Sequence, residues 1–198
     1  MKSVIIIAFL IALLPLTGIS QAIYKQDNQT FVLSGTSNVQ DWVMISKEAS
    51  GSAVIDMRDD KIYSISQLQI SIPAESLKSN KPGMDKIAFK AMKTNNYPTI
   101  LYTLKEVVRM VSTGNEIEMM VRGQLNLSGV ERELEMMVKG IVKYNQIIFE
   151  GSAPVRMSDH NIEPPVALFG TVKTDDETSV YFKINFTKKQ EFNQQSEK

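Results

Sequence analysis

Few residues in this chain have the chemistry of a catalytic site. The 198-residue sequence has no cysteine and one histidine, His160, which follows Ser158 and Asp159. These three residue types form hydrolase triads, but a triad is a spatial arrangement that neighbours in one turn rarely adopt. One histidine without cysteine also falls short of the ligand set of a zinc site. The sequence therefore predicts no catalytic residue, no metal site and no cofactor.

The charged residues are balanced and dispersed. Lysine and arginine total 22 and aspartate and glutamate total 22, so the formal net charge at pH 7 is zero. Proteins that bind nucleic acid carry a basic excess, which is missing here. Glu131, Glu133 and Glu135 alternate along one segment, which is typical of a solvated strand face and lacks the spacing of a calcium loop. We expect no nucleic-acid partner.

The N-terminus has the pattern of an export signal. Lys2 precedes the unbroken apolar run Val4–Leu14, and the small residues Ser20 and Ala22 follow it. This order predicts a secretory signal peptide, residues 1–22, with cleavage after Ala22. The alternative, a membrane anchor, needs about 20 apolar residues, which is longer than this run. We expect a periplasmic or secreted protein without stable membrane insertion, with one domain over 23–188 and a flexible polar tail over 189–198.

Alternation of apolar and polar residues dominates the rest of the chain. In Glu116–Ser128 the apolar residues fall on one face, and the pattern returns after Gly129, which predicts a hairpin turning at Leu127–Val130. Gly123 and Gly140 lie within these strands, where glycine often marks a bulge or a bend. Similar alternation predicts the further strands Gln29–Leu33, Val43–Met57 (one bent strand or a pair), Lys61–Ile72, Thr99–Val111, Gln146–Met157 and Thr178–Thr187.

One segment departs from this alternation. Residues Ala74–Ser79 and Gly83–Thr94 have apolar positions three and four apart, which predicts helix before Pro98. About eight alternating strands must bury their apolar faces in a barrel or a sandwich. Short turns and glycines within strands favour an all-β, eight-stranded antiparallel barrel with a short helical insertion. Such a barrel is just wide enough for one small ligand.

Four segments, in order, give the chain a resemblance to the YceI-like family of lipid-binding or polyisoprenoid-binding proteins. They are Ser34–Trp42, Ile70–Ser79 leading into Gly83–Asp85, Asn96–Ile100 and Val121–Val130. The resemblance implies a lipocalin-like barrel that binds a long isoprenoid chain in an apolar tunnel, in a periplasmic or secreted protein without a known catalytic role. Many relatives have histidine before the tryptophan, whereas this chain has Gln40 before Asp41 and Trp42.

The inward faces of the predicted strands supply the candidate ligand-binding residues. Methionine suits an adaptable apolar surface, although ordinary core filling explains it equally well. Trp42 has two interpretations, a plug at one end of the barrel or a ligand contact. Met120 and Met137 face away from the main apolar stripe, either outside the barrel or under the helical insertion. The candidates are Trp42, Met119, Val121, Leu125, Met136, Val138, Phe182 and Phe186.

Two functions follow from these features. The first is an exported binding protein that holds an apolar chain, such as a polyisoprenoid, in the barrel. The alternative is a non-enzymatic structural or stress-related periplasmic protein whose barrel is filled by its own side chains. The sequence does not decide between them.

Expression of the full chain in a bacterium with a secretory pathway tests the signal peptide. We expect the exported protein to begin at Ile23, because signal peptidase cleaves after a small-x-small pattern. Intact-mass spectrometry of the protein released from the periplasm measures the N-terminus directly. A mass that includes residues 1–22 would contradict the predicted cleavage, and Ala22→Leu, which removes the small residue, should block it.

Overall fold

A computed structural model describes residues 21–59, 61–144 and 146–189. Within these residues the chain forms ten strands, one α-helix (α1) and three short 3₁₀ turns. The helix is Pro82–Met92, and the turns are Ala74–Ser76, Ser158–His160 and Leu168–Gly170. The strands are β1 Gln21–Ser37, β2 Trp42–Ser46, β3 Ser50–Arg58, β4 Lys61–Pro73, β5 Thr99–Thr113, β6 Glu116–Leu127, β7 Val130–Lys143, β8 Gln146–Arg156, β9 Val166–Ala167 and β10 Val172–Lys188.

Eight of these strands form a closed antiparallel barrel. Strands β3 to β8 pair in chain order, β8 pairs with β10, and β1 pairs with both β10 and β3. The short strands β2 and β9 extend the sheet beside β1 and β10. The predicted fold class, an eight-stranded barrel with one short helix, is confirmed.

Strand β1 is much longer than the predicted Gln29–Leu33. Its first half pairs with β3, from Gln21 opposite Asp56, and its second half pairs with β2, from Phe31 opposite Ser46. Between these halves the Gln29 side-chain amide donates from Nε2 to the Lys47 carbonyl oxygen at 2.6 Å. The residues before Phe31 are mostly polar, so the alternation of apolar residues did not predict this part of the strand. Pairing with β10, rather than local preference, holds it extended.

The predicted ends of the chain fall largely outside the described residues. Residues 1–20 of the predicted signal peptide lie outside them, and Gln21 and Ala22 begin β1. Most of the predicted tail, 190–198, also lies outside, whereas the Lys189 amide donates to the Ile23 carbonyl oxygen at 2.9 Å. The signal peptide and its cleavage therefore remain predictions.

The β6–β7 hairpin agrees with the sequence, and no bulge interrupts the pairing of its two strands at either glycine. The two strands pair without interruption from Glu116–Ile141 to Leu127–Val130. The register shifts lie between β5 and β6 and place the extra residues in β5. Gly123 instead leaves room for the Tyr102 ring, since a Cβ there would lie 2.3 Å from Tyr102 Oη. One of these register shifts lies opposite Gly123, between Leu104 and Glu106, so the glycine combines the close approach of Tyr102 with an adjacent bulge in β5.

The predicted helix at Ala74–Ser79 is shorter than expected. Only Ala74–Ser76 forms a 3₁₀ turn, because Lys78 exchanges two backbone hydrogen bonds with Ile45 of β2. The second predicted helix, Gly83–Thr94, is confirmed as α1 with slightly different ends. It stops after Met92 because Lys93 adopts a left-handed conformation, with φ of 55°.

Substitution of Gly123 tests the packing of Tyr102. We expect Gly123→Ala to lower the free energy of unfolding by about 1–3 kcal/mol, because the new methyl group overlaps the Tyr102 ring in a packed wall. Chemical denaturation measures this loss. Gly83→Ala is the control, since a Cβ at Gly83 meets no atom within 4 Å. Equal stability of the two variants would contradict the proposed overlap, and Tyr102→Leu should restore part of the loss.

Candidate ligand-binding cavity

A cavity of about 820 Å³ runs through the interior of the barrel. Its wall is mainly apolar and is formed by inward side chains of the strands together with one face of α1. Small-molecule sites in proteins span roughly 300–1,000 Å³. The structure places all eight candidate residues on this wall: Trp42, Met119, Val121, Leu125, Met136, Val138, Phe182 and Phe186.

One end of the cavity is closed by aromatic and β-branched side chains. Phe149 and Phe186 pack edge to face, with ring centroids 5.9 Å apart and an interplanar angle of 67°. Phe186 and Ile55 are fully buried within the same cluster. This end lies near the β5–β6 and β7–β8 hairpin turns, where the Val142 amide donates to the Asn115 carbonyl oxygen.

The opposite end of the cavity is open. Every wall residue that is exposed to solvent belongs to one of three segments: the β1–β2 connection, the start of α1 and the turn after β9. We call this end the mouth. Its exposed wall residues are Val39, Gln40, Lys81, Pro82, Gly83, Ile87 and Leu168.

Hydrogen bonds hold two of the mouth segments together. The Asn38 side-chain amide donates to the Thr171 carbonyl oxygen at 2.9 Å, and Asn38 Oδ1 accepts from the Lys173 amide at 2.8 Å. The Ser37 hydroxyl donates to the Gln40 carbonyl oxygen at 2.7 Å, which closes the turn between β1 and β2. The β1–β2 connection is thereby fixed against the start of β10.

Helix α1 covers the third side of the mouth. Met84, Ile87, Ala88 and Ala91 recur at helical spacing and face the cavity. Below them, Met92 belongs to a second buried cluster with Met44, Leu77 and Ile162. The sequence predicted an apolar stripe on this helix, and the structure shows that the stripe forms cavity wall as well as core.

Asp85 fixes the first turn of α1 to the chain before it. Its Oδ1 accepts hydrogen bonds from the Ser79 hydroxyl at 2.6 Å and the Ser79 amide at 2.8 Å. Burial alone would raise the pKa of Asp85, but the two bonds from Ser79 and the charge of Lys78 outweigh it, so the pKa is lowered. The carboxylate is therefore stabilised in its ionised form.

Trp42 forms wall close to the mouth. Its indole Nε1 donates to the Thr36 carbonyl oxygen at 3.1 Å, and its ring lies against Gly35, where a Cβ would come within 2.3 Å. The side chain is half-buried and also packs on the second cluster. The indole ring is therefore fixed on the cavity wall near the mouth. This position is compatible with both predicted roles, an end plug and a ligand contact.

The methionines divide between the two sides of the barrel wall. Met119 is buried and Met136 is half-buried, and both line the cavity. Met120 pairs with Met137 on the outer face, and 53% of Met137 is exposed. The sequence analysis placed this pair either outside the barrel or under the helical insertion, and the structure shows it on the outside.

Tyr102 is a wall residue that the sequence analysis did not single out. Its hydroxyl is buried and has no hydrogen-bond partner among the described residues. Burial raises the pKa of Tyr102 to about 12, so its phenol is neutral at physiological pH. Ile100, Tyr102 and Leu104 alternate along β5, and all three line the cavity. This alternation is the sequence pattern from which Tyr102 could have been predicted as a wall residue.

Ser158, Asp159 and His160 do not assemble into a triad. The buried His160 ring contacts the Val130 carbonyl oxygen through Nδ1 at 3.0 Å. The Ser158 hydroxyl donates to Asp176 at 2.6 Å, and its bonds lower the pKa of Asp176. These residues connect the Ser158–His160 turn to the barrel.

Two further features bear on the type of site. Across residues 21–59, 61–144 and 146–189, no group of three or more histidine, aspartate or glutamate side chains is placed to hold a metal ion. In the same part of the chain, no helix has the length and apolar character needed to cross a membrane.

A closed barrel with one open end and an apolar interior is the architecture of a ligand-binding barrel. The sequence-family model for the YceI-like domain matches residues 25–186, and the chain therefore belongs to the YceI-like family. A comparison with curated proteins finds no significant match.

Solved structures share the fold at low sequence identity. BcnA from Burkholderia cenocepacia has a TM-score of 0.62 and 18% identity, covering 80% of this chain and 95% of its own. A polyisoprenoid binding domain from Saccharophagus degradans has a TM-score of 0.63 and 15% identity, covering 84% and 98%. The YCEI protein of Campylobacter jejuni has a TM-score of 0.56 and 16% identity, covering 96% and 100%.

Asp85→Asn tests the anchoring of α1. Because the folded-state pKa of Asp85 is lowered, the ionised carboxylate stabilises the fold at neutral pH, and this contribution disappears as the pH falls through that pKa. We expect the variant to be about 1 kcal/mol less stable at pH 7. The difference should begin to shrink near the ordinary aspartate pKa of about 4 and disappear only below the lowered pKa of the folded state. Urea unfolding at several pH values measures this difference.

Asp41→Asn is the matched control for this experiment. Asp41 is exposed on the β1–β2 connection, and no hydrogen bond from its side chain is found among the described residues. We expect this variant to unfold like the wild type across the same pH range. A pH-independent loss for Asp85→Asn would show that shape rather than charge holds the helix.

Proposed function

We propose that this protein is an exported lipid-binding protein that holds one apolar chain, of the polyisoprenoid class, in the cavity of its barrel. The continuous apolar cavity of about 820 Å³, open at one end, is the observation that carries this proposal. Burial of an alkyl chain there would be favoured by about 25 cal/mol for each Å² of apolar surface removed from water. The eight candidate wall residues are the proposed contacts.

The shape of the cavity favours a slender ligand. Its wall extends from Val39 and Leu168 at the mouth to Phe149 and Phe186 at the closed end, so it follows the barrel axis. A flexible branched hydrocarbon can follow such a path, and methionines such as Met119 and Met136 adapt to it. The polyisoprenoid binding domain of Saccharophagus degradans, which has the same fold, supports this ligand class.

The alternative of a self-filled barrel predicts a different interior. A barrel packed by its own side chains reaches the density of other protein cores and leaves few voids larger than a water molecule. The size of the observed cavity therefore favours a binding protein over a purely structural one. The contacts of Ser158 and His160 give a stabilising role to the residues that resembled a catalytic group, which favours binding over catalysis.

Analysis of co-purified lipid is the first test. The mature protein is purified from the exported fraction without detergent and extracted with organic solvent, and the extract is examined by mass spectrometry. We expect an isoprenoid chain in a ratio approaching one per protein. An extract without lipid, together with no fluorescence change on addition of a polyprenyl probe, would contradict the proposal.

Two adjacent methionines provide a matched pair of variants. Met136 lines the cavity, whereas Met137 faces solvent on the next position of β7. We expect Met136→Trp to reduce polyprenyl-probe affinity at least about tenfold, because the indole fills space that the ligand needs, and Met137→Trp to leave it unchanged. Titration of the probe by fluorescence measures both. Equal affinities would show that the ligand binds elsewhere.

A further inference from the structure

The mouth of the cavity has an unusual concentration of exposed apolar side chains. Val39, Ile87, Val166, Leu168 and Phe169 are all exposed, with 70% of the Leu168 surface accessible and Phe169 fully so. We call these five residues the apolar rim. They come from the β1–β2 connection, α1 and the β9–β10 region, the three segments that surround the opening. Apolar residues exposed together around an opening are typical of sites that contact a protein or a membrane.

The backbone of the rim is held in an unfavourable conformation. Leu168 has φ of 48° and Phe169 has φ of 56°, in the left-handed region that bulky residues rarely adopt. The Thr171 hydroxyl donates to the Leu168 carbonyl oxygen at 2.5 Å and fixes the turn. This conformation gains no core packing, because it points Phe169 into solvent. Strain at a bulky exposed residue is typical of functional positions.

The segments that carry the apolar rim expose more lysines than carboxylates. Segments 37–41, 81–91 and 161–174 carry four exposed lysines and two exposed carboxylates, Asp41 and Glu163. The lysines are Lys81, Lys86, Lys90 and Lys173. Asp85, the remaining acidic residue of α1, is buried and bonded to Ser79. Asp175, which follows the wall residue Thr174 and accepts a hydrogen bond from the Thr36 hydroxyl, is a third exposed carboxylate near the mouth. The mouth segments therefore combine apolar side chains with a small excess of lysines on a chain of zero net charge.

We propose that the apolar rim inserts into the surface of an anionic lipid bilayer, so that the cavity opens directly onto the membrane. Amphipathic surfaces with aromatic and aliphatic residues flanked by lysines bind membranes in this way. This proposal rests on the proposed lipid-binding function, because it supplies the route by which a bilayer-dissolved chain enters the barrel.

Continuity between rim and cavity favours a bilayer over a protein partner. Val39, Ile87 and Leu168 belong to both the rim and the cavity wall, so an apolar surface extends from the outside into the barrel. A chain that moves along this surface stays out of water throughout. A protein seated on the mouth, whether a second copy or another partner, would instead close the cavity.

Vesicle binding by the mature full-length protein tests this proposal. The protein is floated with vesicles of phosphatidylglycerol and phosphatidylcholine in equal parts and, separately, of phosphatidylcholine alone. We expect binding to the anionic vesicles that weakens at high salt, since exposed lysines act through screened charge. Without such binding the docking proposal is wrong, even where co-purified lipid supports the proposed function.

Variants at rim positions outside the cavity wall separate docking from ligand binding. Val166 and Phe169 do not line the cavity, so Val166→Ser with Phe169→Asn should reduce vesicle binding about tenfold while polyprenyl-probe affinity in solution is unchanged. Asparagine tolerates the left-handed conformation at 169. Tyr144→Asn is the matched control, because Tyr144 is a fully exposed aromatic residue with φ of 51° in the β7–β8 turn.

Two further outcomes decide between a bilayer and other occupants. We expect Lys86→Gln with Lys90→Gln to weaken binding to anionic vesicles and to leave binding to neutral vesicles unchanged. Analytical ultracentrifugation reports whether copies of the chain associate. Self-association abolished by Val166→Ser with Phe169→Asn, or vesicle binding lost equally in Tyr144→Asn, would overturn the proposal.

Discussion

The pairing of β1 with β10 is the interaction on which the cavity depends. It joins the first and last long strands over most of their length, from Tyr24 opposite Lys188 to Ser37 opposite Thr174. With both edges joined, apolar residues that alternate along each strand are enclosed in one interior instead of forming an exposed face. The same pairing brings the β1–β2 connection beside the start of β10, where Asn38 bonds Thr171 and Lys173. The β1–β10 pairing therefore both closes the barrel and positions two of the segments that form its mouth.

The barrel is hollow because its two ends are built differently. At the hairpin end, Phe149 and Phe186, which lie on the neighbouring strands β8 and β10, pack edge to face within the main buried cluster. Strands β4 and β5 pair only from Gln69 opposite Thr103 to Pro73 opposite Thr99, and apolar side chains of the main cluster pack where they diverge. At the mouth, α1 lies beside the opening and presents short side chains such as Ala88 and Ala91 to the cavity. Packed side chains close the hairpin end, whereas the other end stays open between α1, the β1–β2 connection and the turn after β9, which leaves an elongated space.

Alternation within strands allowed much of this architecture to be predicted. It placed Met119, Val121, Met136 and Val138 on one face of the β6–β7 hairpin, and all four line the cavity. Alternation does not report how far side chains extend across the interior, so a hollow and a filled barrel were equally compatible with it. Alternation within a strand also does not predict contacts between segments that are distant in sequence. The bridge between Ile45 and Lys78, which limits the helix at Ala74–Ser76, joins residues far apart in sequence, and no local preference encodes it.

At the mouth, bulky apolar side chains are exposed to solvent on a backbone with unfavourable positive φ angles. Burial of Leu168 and Phe169 would stabilise the protein, yet the turn holds both outward with positive φ angles. Tyr144 shows the same combination, but a two-residue hairpin turn requires positive φ there and accounts for it. Residues 168–171 likewise connect the paired strands β9 and β10, but there two bulky apolar residues have positive φ, and one of them, Leu168, continues the wall of the cavity. An apolar surface that begins outside the barrel and ends at Phe186 has a physical use where the ligand itself arrives from an apolar phase.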